Sequence, residues 1–321
     1  MAMLKGLLAA VLSLAATGAA SGAGAYPDKP VRLYVGFAPG GATDLLARLY
    51  AKKLGEKFNQ TFIVENRPGA GGNIAVQALA QAPADGYTIA MAANYVAANA
   101  AMQRNPYDWE RDLMPIGMVA STPNILVVPA ASRLNGVADL VREARKSPGK
   151  LTFGSAGMGS SIHLAGELFK VMAGVDMTHV PYKGVSPAEV DLVSGTVDMM
   201  FGSVSTAIPL VQSGKLKALA VTGRERMKAM PDLPTIEEGG LKGYDVEAVY
   251  FLAAPARIPQ PVLKTLTEAV AQINREPDVR EFMDRIYARP LTGGPDEARA
   301  FLAAEERKWR DVVQATGLTV N

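Results

Sequence analysis

The sequence predicts an α/β protein of two lobes with a ligand cleft between them. Short apolar runs alternate with amphipathic helical patterns over nearly the whole chain. That alternation starts afresh after about residue 124, and a late apolar run, VEAVYFLAAP, reads as a strand returning to the first unit. A repeated strand–helix rhythm builds parallel sheet with helices on both faces.

The elements follow in order. VRLYVGF (31–37) reads as a buried strand and TDLLARLYAKKLGEKF as an amphipathic helix ending between Gly55 and Phe58. TFIVEN is the second strand, and the Gly-rich RPGAGG opens the helix NIAVQALAQA. ADG (84–86) turns the chain into the strand YTIAMAA. After NPYDWERDLMP, MVAS and ILVVP read as two further strands. In the second unit the helices are VADLVREARK, SSIHLAGELFKVM, PAEVDLVSG and STAIPLVQSG. They alternate with the strands LTFGS, MTHVPY, VDMMFG and LKALAVT. From about Pro261 the chain is helical, with EARAFLAAEERKWRDVV the clearest amphipathic stretch. The expected division is a leader over 1–25, a first lobe of 26–124 plus 249–321, and a second lobe of 125–248.

Composition narrows the function. The chain has 321 residues, 49% hydrophobic and 20% charged, with a formal net charge of +2 and no polybasic block. Nucleic-acid binding needs a basic face, so no nucleic-acid partner is expected. Residues 1–25 carry Lys5 as their only charge, then LLAAVLSLAA, then AGA before Tyr26. That is the pattern of a secretory leader cleaved after Ala25, its apolar run short for a membrane span. With no cysteine, disulfides and thiolate chemistry are excluded. The mature chain is expected to be soluble.

Four glycine-rich loops, APGGATD, RPGAGGN, GSAGMGSS and FGSVST, sit between an expected strand and an expected helix. A helix start offers unpaired N–H groups and a favourable dipole, and glycine allows close approach of an anion. Loops at the carboxyl ends of parallel strands converge on a shared cleft. Nucleotide sites do not fit: APGGATD lacks the P-loop lysine, and GMGSSI has Ile162 where a third glycine belongs. Metal sites lack clustered ligands, and neither metal nor cofactor is expected. GxSxG around Ser155 fails at Phe153. A hydrolase pairing Ser155 or Ser160 with His163 therefore stands only as an alternative from another class. Asp44 would repel an anion and reads as helix-start structure, leaving the backbone of Gly40 and Gly41 to face the ligand. Asn94, Tyr95, Tyr182 and Ser155 can supply side-chain hydrogen bonds and a ring wall.

Taken together, YPDKPVRLYVGFAPGGATDLLAR, VENRPGAGGNIA, APADGYT, FGSAGMGSSIHLAGELFK, HVPYKG, VDMMFG, GKLKALAVT and PDLPTIEEGG resemble the Bug-type receptors. These are the periplasmic solute-binding proteins of tripartite tricarboxylate transporters. The resemblance runs over essentially the whole mature chain. It implies two Rossmann-like lobes of the periplasmic-binding-protein type II kind, closing on a small carboxylate without transforming it. By position it implies ligand contacts from Phe37, Ala38, Gly40, Gly41, Asn94 and Tyr95 in the first lobe. From the second come Ser155, Ala156, Gly157, Ser160, Ser161, Tyr182, Gly202, Ser203 and Ser205. The implied partner is a membrane permease, with a sensor kinase as the alternative, and a monomer is expected. Many relatives carry an aspartate where this chain has Gly202, which implies a carboxylate ligand without an amino group, a di- or tricarboxylate or an aromatic acid. Where relatives often have small residues, AANYVAAN places Tyr95, expected to narrow the cleft or stack on an aromatic ligand.

Overall fold

Strands β1 (Val31–Val35), β2 (Phe62–Asn66) and β3 (Thr88–Ala93) pair in parallel in the order β2–β1–β3. The computed structural model describes residues 26–102 and 104–316, so the expected leader and its cleavage point lie outside the described residues. All six residues of β3 are buried, as a strand covered on both faces requires. Helix α1 (Ala42–Phe58) joins β1 to β2, and α2 (Asn73–Ala80) joins β2 to β3. Asn59 ends α1 in the left-handed conformation, returning its N–H to Gly55 O. Helix α3 (Tyr95–Met102) follows β3 directly. The short α4 (Trp109–Asp112) starts on Asp108, whose carboxylate accepts from the N–H groups of Glu110 and Arg111.

The expectation of two separate strands at MVAS and ILVVP is corrected by one 17-residue strand, β4 (Leu113–Pro129). Its first part, 113–123, runs antiparallel to β9 (Glu247–Pro255). From Asn124 it pairs antiparallel with β7 (Met199–Ser203) and β8 (Leu216–Val221). Pro123 resembles a break because it has no N–H to give a ladder. Here it sits where the ladder changes partners, so the strand tolerates it. The returning strand expected at VEAVYFLAAP is β9, which also pairs with β3.

Beyond β4, α5 (Val137–Lys146), β5 (Thr152–Ser155), α6 (Ser161–Ala173), β6 (Thr178–Pro181), α7 (Val185–Ser194) and α8 (Val204–Gln212) repeat the alternation. β5 pairs in parallel with β6 and β7. The strand order is β2–β1–β3–β9–β4–β7–β5–β6, so two α/β units meet through the antiparallel strands β4 and β9, and the α/β class read from the sequence holds. Each unit has its own apolar core. Leu33, Leu46, Tyr50, Ile89 and Phe251 belong to the first, and Phe153, Phe169, Phe201, Ile208 and Tyr244 to the second. The chain ends with α9 (Gln260–Ile273), α10 (Pro277–Arg285), the two-residue β10 (Arg289–Pro290) on β4, and α11 (Pro295–Thr316). α11 belongs to both cores: Leu302 packs in the first and Trp309 in the second.

Candidate functional site

The N-termini of α1, α6, α7 and α8 converge on one small cavity between the two units. Gly41, Ala42 and Thr43 line it from α1, and Ser160, Ser161 and Ile162 from α6. Val185 comes from α7, and Ser203, the residue before α8, completes the set. Phe37, Ala38, Tyr95 and Ala156 close the sides, while Ala93, Asn124 and Tyr250 on β3, β4 and β9 form the floor. The enclosed space is about 30 Å³, where one water needs roughly 10–15 Å³. That leaves room for a few waters between the two units.

Direct contacts join the two units around it. Ala38 N–H donates to Lys183 O at 3.1 Å and Ser186 Oγ to Pro39 O at 3.3 Å. The RPGAGG loop, expected to bind an anion, instead packs against GSAGMGSS. A Cβ added at Gly71 would lie 1.9 Å from Met158 O and 2.9 Å from Ser160 N.

The APGG loop is shaped by Asp44. Its buried carboxylate accepts from Gly40 N at 3.1 Å, Arg48 Nε at 2.9 Å and Asn66 Nδ2 at 2.9 Å. Burial alone pushes this carboxyl up, but the bonds from Arg48, Asn66 and Gly40 outweigh it and hold the group below its ordinary value. Asp44 is helix-start structure as expected. The expectation that Gly40 turns its N–H to the ligand is corrected, because Asp44 takes that N–H. Gly41 does face the cavity.

The GSAGMGSS loop is braced from behind. Ser155 is fully buried, and its Oγ accepts from Gly157 N at 3.0 Å while sharing a 2.6 Å bond with His179 Nε2. Gly159 N donates to His163 Nδ1 at 3.0 Å, which places the imidazole proton on Nε2. Ser160 Oγ caps α6 by accepting from His163 N at 3.3 Å. Burial first, then the neighbouring His179 and Lys170, lower His163 to about 3. Burial and then Lys170 lower His179 to about 4. Both rings are neutral at ordinary pH and lie tilted by 33° with centroids 4.0 Å apart. The hydrolase alternative placed His163 beside Ser155 or Ser160. The structure gives Ser155 to His179 instead, and neither residue lines the cavity.

The remaining expected residues divide. Tyr95 narrows the cleft: it is 2% exposed, meets the Phe37 ring edge-on at 5.6 Å, and fills the space a side chain at Gly72 would need. Asn94 faces away from the cavity, donating to Glu247 O at 3.1 Å and Glu305 Oε2 at 2.8 Å while accepting from Val249 N. Tyr182 directs its hydroxyl to Asp191 at 2.6 Å. Gly157 lies at the loop–loop contact, where a Cβ would meet Tyr182 O at 2.9 Å. Ser205 bonds Ser203 at 2.9 Å behind the lining. A Cβ at Gly202 would meet Ala207 at 3.3 Å and Val127 at 3.5 Å, so position 202 points into packing. Sequence reasoning missed Ala93, Asn124 and Tyr250 on the strands as lining residues, and Ala42, Thr43, Ile162 and Val185 on the helices. The available signal was that a ligand between two units must touch the strands that cross between them.

Among the described residues, no charged side chain lines the cavity. One turn along α7 from Val185, burial pushes the Glu189 carboxyl up to about 7, against the pull of the Thr206 hydroxyl bond. Folded Glu189 holds its proton more tightly than the unfolded chain does. Its ionisation therefore costs no stability below about pH 4.5, and the cost grows to its full size above pH 7. Glu189→Gln is expected to match the parent in stability near pH 4 and exceed it at pH 8 by roughly 2–3 kcal/mol. A gap that ignores pH would clear the carboxyl as the cause. A larger cavity of about 530 Å³ shares Ser161 with the small one and takes Asn94 into its lining. Its rim cations are already paired, Arg224 with Asp245 at 2.8 Å and Arg289 with Glu247 at 3.1 Å, so an anion there would have to displace a carboxylate.

The family model described as the Tripartite tricarboxylate transporter family receptor matches residues 46–318. The solved structure of R. palustris Rpa4515 with adipate is 35% identical with a TM-score of 0.87, covering 92% of this chain and 99% of its own. The periplasmic binding protein BugD is 32% identical with a TM-score of 0.87, over 92% and 99% of the two chains. MatC (Rpa3494) from Rhodopseudomonas palustris with bound malate is 30% identical with a TM-score of 0.86, over 90% and 100%.

Proposed function

The chain belongs to the tripartite tricarboxylate transporter receptor family, and on that premise we propose that it captures a small dicarboxylate in the periplasm and delivers it to a membrane permease. The observation that carries the ligand class is the convergence of four helix N-termini on a cavity whose lining has no charged side chain. Each N-terminus carries a partial positive charge, so their convergence favours an anionic ligand. Their unpaired N–H groups supply the donors a carboxylate accepts from. A ligand ammonium group would meet no carboxylate in this lining, so a plain dicarboxylate is favoured over an amino acid. That reason replaces the one expected from Gly202, whose position points into packing. The adipate and malate held by two of the solved relatives support the same class.

On this reading the lobes 26–124 with 249–321 and 125–248 bend about the crossing strands near 124 and 249, opening to load and closing to deliver. The exported chain works as a monomer and changes nothing in its cargo. Melting scans and calorimetric titrations with adipate, malate, hexanoate and glutamate test the reading. A dicarboxylate at 100 times its Kd is expected to add about 2.7 kcal/mol of stability, with hexanoate and glutamate adding less. A larger shift with glutamate than with either dicarboxylate would overturn the ligand class. Ester hydrolysis abolished by Ser155→Ala would overturn the binding role itself.

A further inference from the structure

One polar group in the cleft has nothing to bond. Asn124 is 3% exposed and lines the cavity floor, and its side-chain Nδ2 has no hydrogen-bond partner among the described residues. A buried donor left unpaired is costly, and native proteins keep few of them. Asn124 cannot relieve the cost by shifting its backbone. Its N–H donates to Thr222 Oγ1 at 2.7 Å, and its carbonyl accepts from Thr222 N at 3.0 Å. The same Thr222 hydroxyl reaches Val246 O at 2.6 Å, and Val246 N donates to Thr222 O at 3.0 Å. Thr222, itself fully buried, thus clasps together the two segments that cross between the units. Asn124 sits on that clasp where β4 passes from β9 to β7, directly opposite Ser203 in the ladder.

The floor donor differs in kind from the rest of the cavity. The helix N-termini present backbone N–H groups with a dipole behind them, and they receive an acid group wherever they converge. The Asn124 amide comes from a strand, carries no charge, and is satisfied only by an acceptor oxygen brought to the floor. An alkyl end would bury it still unpaired, and an ammonium end would set donor against donor. Resting on the reading of the cleft as a dicarboxylate site, we propose that Asn124 is its specificity-determining residue, donating from Nδ2 to the ligand's second carboxylate. Because the residue is seated on the clasp, recognition of that second carboxylate is made at the strand about which the units bend.

Calorimetric titration of wild type and Asn124→Leu with adipate and with hexanoate, which has the same chain length and one carboxylate fewer, tests this. In Asn124→Leu, adipate affinity is expected to fall roughly 10- to 100-fold, the usual effect of losing a hydrogen bond to a charged group. Hexanoate affinity stays level or improves, so the ratio between the two acids collapses. Asn124→Asp keeps the shape, replaces the donor with a like charge, and is expected to lose adipate more deeply than Asn124→Leu. Adipate binding to wild type with an unchanged ratio in both variants would overturn the role of Asn124 and leave the dicarboxylate site standing. Equal losses for both acids with a lowered melting temperature would make the residue structural and overturn the role too. Failure of wild type to bind any dicarboxylate would remove the site and this role together.

Discussion

Gly71→Ala is expected to fold and to lose at least 100-fold in ligand affinity, because it holds the cleft ajar. The added Cβ would lie 1.9 Å from Met158 O across the contact between the units, whereas real Cβ contacts stay above 3.0 Å. The obstacle is backbone on both sides, with no flexible side chain to swing away. The GSAGMGSS loop must therefore retreat, taking Ser160 and Ser161 out of reach of a ligand seated on α1. Losing charge-assisted bonds from one wall, at about 1.5–3 kcal/mol each, readily exceeds the roughly 2.7 kcal/mol that a hundredfold change represents. Gly71 also has φ of +59°, so alanine pays a small backbone cost whatever its neighbours. Gly174 isolates that cost: its φ is +60° and nothing lies within 4 Å of its added Cβ. Titration with adipate should find Gly174→Ala close to wild type and Gly71→Ala severely weakened. Small-angle scattering should show Gly71→Ala remaining extended when adipate is added. Equal affinities in the two variants would sink the wedge.

What could be read in the sequence followed from local rules, and what could not depended on how the two units meet. The strands of both units are short, apolar and bounded by turn residues, so β1 to β3 and β5 to β9 were all legible. β4 was not, since Ser121, Thr122, Pro123 and Asn124 together look like a turn, and only the exchange of ladder partners lets the strand run through them. Within the site, the helix-start loops were visible from glycine placement, and Gly41, Ala156, Ser160, Ser161 and Ser203 do line the cavity. Gly40 was misread although its signal was present. Asp44 stands at the third position of a helix begun at Ala42, from which an acidic side chain reaches back to the N–H groups before the helix. Asn124 and Tyr250 carry no such local signal, only the topological one that crossing strands floor the cleft. A strand residue becomes part of a cleft only when another unit is laid across it.

Trp309→Ala is expected to cost about 3–5 kcal/mol, the usual toll of emptying a fully buried aromatic site. Trp309 is 2% exposed and packs in the second core, although α11 docks along the first unit through Ala298 and Leu302. Polar bonds bind the same helix to both sides. Glu305 accepts from Asn94 Nδ2 at 2.8 Å and Glu306 from Trp109 Nε1 at 2.8 Å. Lys308 Nζ donates to Asp245 O at 3.0 Å, beside the crossing segment at 246. The helix is therefore a third tie between the units, next to β4 and β9, and motion about the crossing strands has to bend or slide it. Removing the indole should lower the melting temperature by roughly 10 °C, and should split the transition if the second unit then unfolds before the first. Trp309→Phe, which keeps an apolar ring in the site, should recover most of the loss. A fall smaller than about 1 kcal/mol, within the range of ordinary surface substitutions, would mean that the second core closes without α11. The units would then be tied by the two strands alone.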